Sequence, residues 1–464
     1  MKSFLKQLCH CLLLPAVIFF SSCQKESVFK SYAKPEVIIA IGDARLSRDT
    51  IHLVKDTVYI LAASISRNRG QKLIVDAGTL VKVNDGIGIT INQGARIEAA
   101  GTATEPIVFT SSAAKGAPGN IGENNQNEHS WLGIAISGNY PQLIDSSVTG
   151  TGVLKYVRIE FAGRSSNLSN FQQLPSLLLQ NVGRGTIVEN IEASYSANQH
   201  SFKIYGGNVD ASNLVSYACG GSDFVLGEGY SGRMQNLLAY RHPYFSPRAG
   251  SNTTLAGLIL AGENTFTIVS NLTVLGPDLQ NGTNLKYFDT TRAGSFGNVD
   301  GSKVAAVVVE AGRFRIRNSV LLGFPRSAVY INAKLTARSL EDGSSDFRYC
   351  VYHSNDTTHT FYLTPNIYKQ YTSQDLKDLL LRSDYAGQQF LSSSQFNFAD
   401  PFGYDYNPNP SPSSSSPLLS GANFDDPYFD NAFIKKVTYR GAIGADNWLQ
   451  GWTNFIPLQT NYNN

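Results

Sequence analysis

Cysteine is scarce: of five in 464 residues, Cys9 and Cys11 lie in an apolar leader, Cys23 directly follows it, and only Cys219 and Cys350 come later. Two distant thiols, neither in a CxxC, exclude a disulfide framework or a zinc site and leave buried free cysteine as the reading. Charge of one sign is lacking too. Lys+Arg number 38 against 36 Asp+Glu, and removing residues 1–22, which hold Lys2, Lys6 and no acid, leaves 36 of each. No basic stripe marks a nucleic-acid partner and no acidic block marks a disordered tail. There is no GxSxG, no HExxH and no phosphate-cradling loop. Gly86-Ile87-Gly88 and Gly227-Glu228-Gly229 read as glycines at chain corners.

What is there begins with an export signal. Lys2 and Lys6 precede an apolar run from Leu8 to Phe20, which falls short of the ~20 residues of a spanning helix, and Ser21-Ser22-Cys23 closes it. Two small residues before a cysteine resemble the lipobox of bacterial lipoproteins, with Phe20 where the strongest examples carry Leu. The resemblance implies removal of residues 1–22, acylation of Cys23 and a membrane partner reached through that lipid. Gln24-Lys25-Glu26-Ser27 resembles the export tag of surface lipoproteins of Bacteroidota. Outer-membrane anchoring with display on the cell surface is therefore expected, with the periplasmic face as the alternative.

The mature chain repeats. An apolar residue, any residue, Asn and usually an aliphatic one recur around Asn190, Asn213, Asn236, Asn271 and Asn318, at intervals of 23, 23, 35 and 47 residues. The interval of 35 reads as one repeat plus a loop, and that of 47 as two repeats. A 23-residue unit of short β-branched runs broken by Gly and Asn is too short for a helical pair and fits one coil of a parallel β-helix. Equivalent asparagines would then stack ~4.8 Å apart as a structural ladder. Tyr156 and Tyr349 fill the same slot. Residues 72–79, 87–92 and 106–109 read as earlier coils. The expected fold is all-β: a parallel β-helix over residues 51–360, preceded by a lipidated tether and N-terminal cap over 23–50. A C-terminal cap over 361–464 follows, with a short helix at residues 373–381 behind a Ser or Thr N-cap. Pro408 to Pro417 reads as an extended surface loop, and the Tyr/Trp-rich end as a cover over the final coil.

At this point the chain resembles a family of right-handed, pectin-lyase-like β-helix lipoproteins of Bacteroidota. The resemblance rests on the stretch Ala99 to Thr110, on Trp131-Leu132-Gly133-Ile134 and on Tyr205-Gly206-Gly207-Asn208-Val209. It extends to Val437 through Gly444, with Trp448 and Gly451-Trp452-Thr453. It implies a fold and no settled activity. Relatives tend to carry a denser acidic cluster where this chain has only Gly221-Ser222-Asp223-Phe224, so the resemblance does not by itself carry an acid-dependent ligand role over to this chain.

The candidate ligand-binding residues are His200, Asp223, Glu228, Arg233, Arg241, His242 and Arg248, a set with the charges that polysaccharide lyases use on such folds. His200, Asp223 and Ser246 each stand ten residues beyond a ladder asparagine. That spacing predicts a His200–Asp223 contact at a coil corner, while Ser246, two coils from His200, cannot complete a hydrolase triad. Tyr195, Tyr217 and Tyr240 recur at nearly the repeat length and should stack, either as an inward core ladder or as an outward platform for sugar rings. No catalytic residue is assigned, no cofactor is implied and the pattern names no metal. The leading expectation is a monomeric, non-catalytic surface protein binding an extended ligand, with a glycan as candidate. A polysaccharide lyase or glycoside hydrolase on the same fold, or a structural or adhesive protein, are the alternatives.

Overall fold

A computed structural model describes residues 34–113, 131–139, 151–163, 174–196, 200–241, 255–276, 304–324, 326–401 and 409–462. The leader and Cys23 lie outside them. The strands pair in parallel, coil on coil: Thr50–Leu53 on Lys72–Val75 on Arg96–Ala100 along a first wall, and Glu36–Ile39 on Val58–Leu61 on Leu80–Val83 on Ile107–Ser111 along a second. A third wall is a ten-stranded sheet running from Ile65–Arg67 to Phe361–Leu363. This is a parallel β-helix. Its coils begin at Glu36, inside the stretch assigned to tether and cap, because Val37 and Ile39 already turn toward the core.

Midway, the first two walls fuse. The long strand Gly152–Glu160 pairs by its first half with the first wall and by its second half with the second. Entry into it requires glycine, since a Cβ on Gly152 (φ +134°) would lie 1.7 Å from the Ile97 carbonyl oxygen. The bend between its halves is one residue in the left-handed region. Tyr156, Asn190, Asn213, Asn236, Asn271, Asn318 and Tyr349 all occupy this bend, with φ between 49° and 58°. Asparagine suits the place because it tolerates left-handed backbone and its amide can meet the next coil's. Asn213 Nδ2 donates to Asn190 Oδ1 at 3.4 Å, and Asn236 Nδ2 to Asn213 Oδ1 at 2.9 Å. Asn213→Leu would break both bonds and place a branched side chain at positive φ. A loss of ~2–4 kcal/mol in unfolding free energy is expected by chemical denaturation. Asn213→Gly, which removes only the amide, should lose about half of that.

The interval of 47 residues is not two repeats. Ser270 pairs with Arg317 and Thr273 with Val320, so Asn271 and Asn318 stand on adjacent coils and the interval is that of one lengthened coil. A helix not expected from the sequence, α1 (Lys334–Glu341), lengthens the next coil. The expected helix is α2 (Ser373–Leu380), N-capped by Thr372 in a capping box with Asp375. No helix among the described residues is long and apolar enough to cross a membrane.

The end of the chain does not sit over the final coil. Asn409–Pro412, expected in an exposed loop, forms a strand against Phe398–Asp400 with its last three residues buried. Residues 417–462 then run back along the helix as a strap across the fused walls. Phe424, Phe429 and Ile434 cover Ile268 on the first wall, and Leu449, Trp452 and Phe455 cover the second. Between them the strap crosses the asparagine corner. Asn271 Nδ2 donates to the carbonyls of Tyr439 (3.0 Å) and Gly441 (3.1 Å), and Asn318 Oδ1 accepts from Asn423 N–H at 2.8 Å.

Candidate functional site

The strap decides the fate of the tyrosines. Leu214 points into the core, Val215 out, Ser216 in and Tyr217 out, as strand alternation requires. Phe161, Tyr195, Tyr217 and Tyr240 thus form a ladder on the outside of the coil, with successive ring centroids 5.6, 5.7 and 5.4 Å apart. It is neither of the two expected alternatives. Phe455 packs edge-on against Tyr217 at 5.0 Å and Tyr240 at 6.0 Å, and the rings are buried beneath the strap.

Three of the candidate residues meet at the corner between Ala211–Tyr217 and the third-wall strand Phe224–Gly227. Asp223 accepts from Ser216 Oγ at 2.6 Å, and its other oxygen lies 3.0 Å from Arg241 Nη2. Arg241 also donates to the carbonyls of Cys219 and Ala256. A line of hydroxyls leads away: Ser216 to Ser201 (2.7 Å), Ser201 to Ser196 (3.0 Å), Ser196 to Ser176 (2.5 Å). Both partners of the ion pair are buried. Burial pushes the Asp223 carboxyl up to about 6 against the pull of Arg241, and the Cys219 thiol up to about 11.

The expected His200–Asp223 contact is absent. His200 Nδ1 instead accepts from Ser222 N–H at 3.1 Å. The reason is register: Phe202 pairs with Phe224, so the corner after Asn213 is one residue shorter than that after Asn190, and Asp223 stacks beside Ser201. Burial, with Lys203 and Arg241 nearby, lowers the His200 imidazole to about 4, which leaves it a neutral acceptor. Arg233 is bound to Asp210 and lies over the Phe433 ring on the first wall, away from this corner. Glu228 sits exposed at a turn with φ 48°. His242, Ser246 and Arg248 lie outside the described residues.

A second buried polar cluster was not foreseen. Under the strap, Tyr462 Oη donates to Glu160 Oε1 (2.6 Å) and Asn454 N–H to Glu192 Oε2 (2.8 Å), with Arg158 Nε 3.6 Å from Glu160. Burial, with Glu160 adjacent, outweighs Arg158 and Asn454 and raises Glu192 to about 8. The folded state therefore holds this proton more tightly than the unfolded chain, and the stability it lends is lost as pH rises through about 8. His200 and His353, both lowered to about 4, act in the opposite sense and only as pH falls below 6.5. Between about pH 6.5 and 8, stability should thus fall by up to ~1.4 kcal/mol per pH unit. Glu192→Gln should flatten that slope, as read from melting temperature against pH.

The outer face of the third wall is different. With Ile204 and Leu363 in the core, Lys203, Tyr205 and Tyr362 face outward and are half-buried. Lys203 Nζ lies over the Tyr205 ring at 4.6 Å, and Arg326 Cζ over the Tyr362 ring at 5.3 Å. Tyr362 also packs on Tyr330 at 5.3 Å. Lys203, Val225, Ile259, Val308, Tyr330 and Tyr362 follow one another in register along a single column. Five rungs separate its ends, ~24 Å at the usual strand spacing. Alternation in Phe202–Tyr205 could have flagged the first pair. The second needed the register between distant strands.

Three walls of parallel strands stacked coil on coil define a parallel β-helix. Residues 45–362 match the family model described as a pectate-lyase like beta helix domain, and the chain belongs to that family. No curated protein and no solved structure matches it.

Proposed function

We propose that the protein is a lipid-anchored cell-surface protein that holds an extended glycan, without cleaving it, by the half-buried ends of its third wall, between which Val225, Ile259, Val308 and Tyr330 are buried. A pectate-lyase-like β-helix fits a glycan-related role. The observation that carries the reading is a cation–tyrosine pair at each end of one column: Lys203 over the half-buried Tyr205 two residues along its strand, and Arg326 over the half-buried Tyr362. Sugar rings pack on such faces while the cations offer hydrogen bonds. Asp223, Glu160 and Glu192, by contrast, are fully buried, each with one carboxylate oxygen hydrogen-bonded within the protein. The test is affinity electrophoresis of the protein in gels carrying plant and host polysaccharides. Tyr362→Ala should weaken retention about fivefold, the equivalent of ~1 kcal/mol. Unchanged retention in Tyr362→Ala and Tyr205→Ala alike would reject this wall as the site.

Cleavage is favoured by one specific observation. His359 Nδ1 lies 2.6 Å from Asp356 Oδ2 beside the Tyr362 ring, an exposed imidazole oriented by a carboxylate as a general base would be. Release of reducing or unsaturated ends that disappears in His359→Ala would replace binding by catalysis.

A further inference from the structure

We infer that the first coils carry a second membrane contact, an aliphatic patch that rests on the lipid surface to which Cys23 is tethered. The inference rests on the lipid-anchor reading above. Ile38, Ile41 and Val54 are 60%, 91% and 37% exposed, three of the seven most exposed large apolar side chains among the described residues, and all fall within the first coil. Ile38 faces outward on the second wall, where its column continues to half-buried Ile60, with half-buried Leu80 in the column beside it. The strap covers this wall farther on, from the turn at Ala103, against which Gly451 lies, to Arg158 and Glu160 and beyond. Lys82 is held to Glu36 at 3.0 Å, so the patch is bordered by a paired rather than a free charge.

The occupant follows from chain length. Twelve residues lie between Cys23 and Glu36, and a fully extended chain spans at most ~45 Å over those thirteen steps. The patch is thus confined close to the bilayer, where even a weak affinity is raised by effective concentration. Exposed aliphatics at the tethered end would add a surface contact to the acylated cysteine and fix how the solenoid rests on the lipid.

The full lipidated protein, in vesicles of phosphatidylethanolamine and phosphatidylglycerol, provides the test by hydrogen exchange. Amides of residues 36–42 should exchange about tenfold more slowly than in Ile38→Glu/Ile41→Glu, a variant whose exposed positions leave its melting temperature unchanged. Equal exchange in the two proteins, both carrying fatty acid, overturns the patch and leaves the anchor reading standing. Fatty-acid labelling that persists in Cys23→Ala, or is absent from the parent, overturns both. Protection that appears without vesicles and grows with protein concentration assigns the patch to a second copy and overturns the membrane contact.

Discussion

Arg241→Met is expected to lower the unfolding free energy by ~3–5 kcal/mol, the usual range when one partner of a buried ion pair is removed. The side chain is nearly the same volume, so the loss is electrostatic. Asp223 would remain enclosed with only the Ser216 hydroxyl as a partner, and the carbonyls of Cys219 and Gly221 would lose the guanidinium's donation, while that of Ala256 keeps the Asp223 N–H. Asp223 already sits at about 6 with Arg241 beside it. Without the guanidinium its carboxyl must rise further, so the variant should recover part of the deficit as pH falls from 7 to 5 and the acid is neutralised in place. The second change Asp223→Asn should restore ~2 kcal/mol at pH 7, since it removes the unpaired charge and keeps a group that Ser216 can bond. Urea titrations of the parent, the single and the double variant at both pH values decide it. A single-variant loss below ~1 kcal/mol would show that the ion pair contributes little to the corner.

The same corner shows how far the sequence could be read. Asn190, Asn213 and Asn236 were legible because the left-handed bend is a local demand, met by one residue type at a fixed interval. The coil length after each bend is not a local property. His200 and Asp223 stand at equal offsets from their asparagines, yet the corner between Asn213 and Phe224 is one residue shorter, and the strand register Phe202–Phe224 slides Asp223 onto Ser201. The 47-residue interval misleads for a related reason, since two coils and one lengthened coil have the same length. Only the pairing of Ser270 with Arg317 separates them.

The tyrosine ladder was visible as a spacing and illegible as an environment. Alternation along Ala211–Tyr217 puts Tyr217 outside the coil, and nothing within 23 residues says what covers it. The cover comes from residues such as Asn454, which bonds Glu192 across 262 residues of chain. Long-range contacts of that kind leave no periodic trace. The Tyr/Trp richness of the last segment marked it as packing material without saying against what.

Trp452→Ala tests whether the strap belongs to the cooperative fold, and a loss of ~3–5 kcal/mol is expected from the large-to-small change alone. Trp452 is buried, stacks on Trp448 at 6.1 Å and meets the edge of Tyr156 at 5.7 Å, and its Nε1 donates to the Trp448 carbonyl at 2.8 Å. Tyr156 is the first left-handed bend of the fused walls, so the indole clamps the strap to the start of the ladder. Beyond it, Asn454 and Tyr462 hold Glu192 and Glu160. Behind it, Ala442 N–H donates to Thr273 Oγ1 at 2.8 Å, and Lys435 exchanges hydrogen bonds with Gln235. A strap fastened at both sides of the lesion should detach locally before the solenoid melts, because each fastening is a few bonds while the coils share continuous parallel ladders. Limited proteolysis should therefore cut Trp452→Ala between residues 440 and 462 at protease levels that leave the parent whole. The fragment ending before the cut should keep its parallel-sheet circular dichroism. Tyr195, Tyr217 and Tyr240 would then be open to solvent, with increased binding of a hydrophobic dye as the sign. If the strap resists cleavage and only the global transition moves, strap and solenoid unfold as one unit and the strap is a wall of the core. If neither changes, the packing of Trp452 on Tyr156 contributes nothing that the remaining anchors do not already supply.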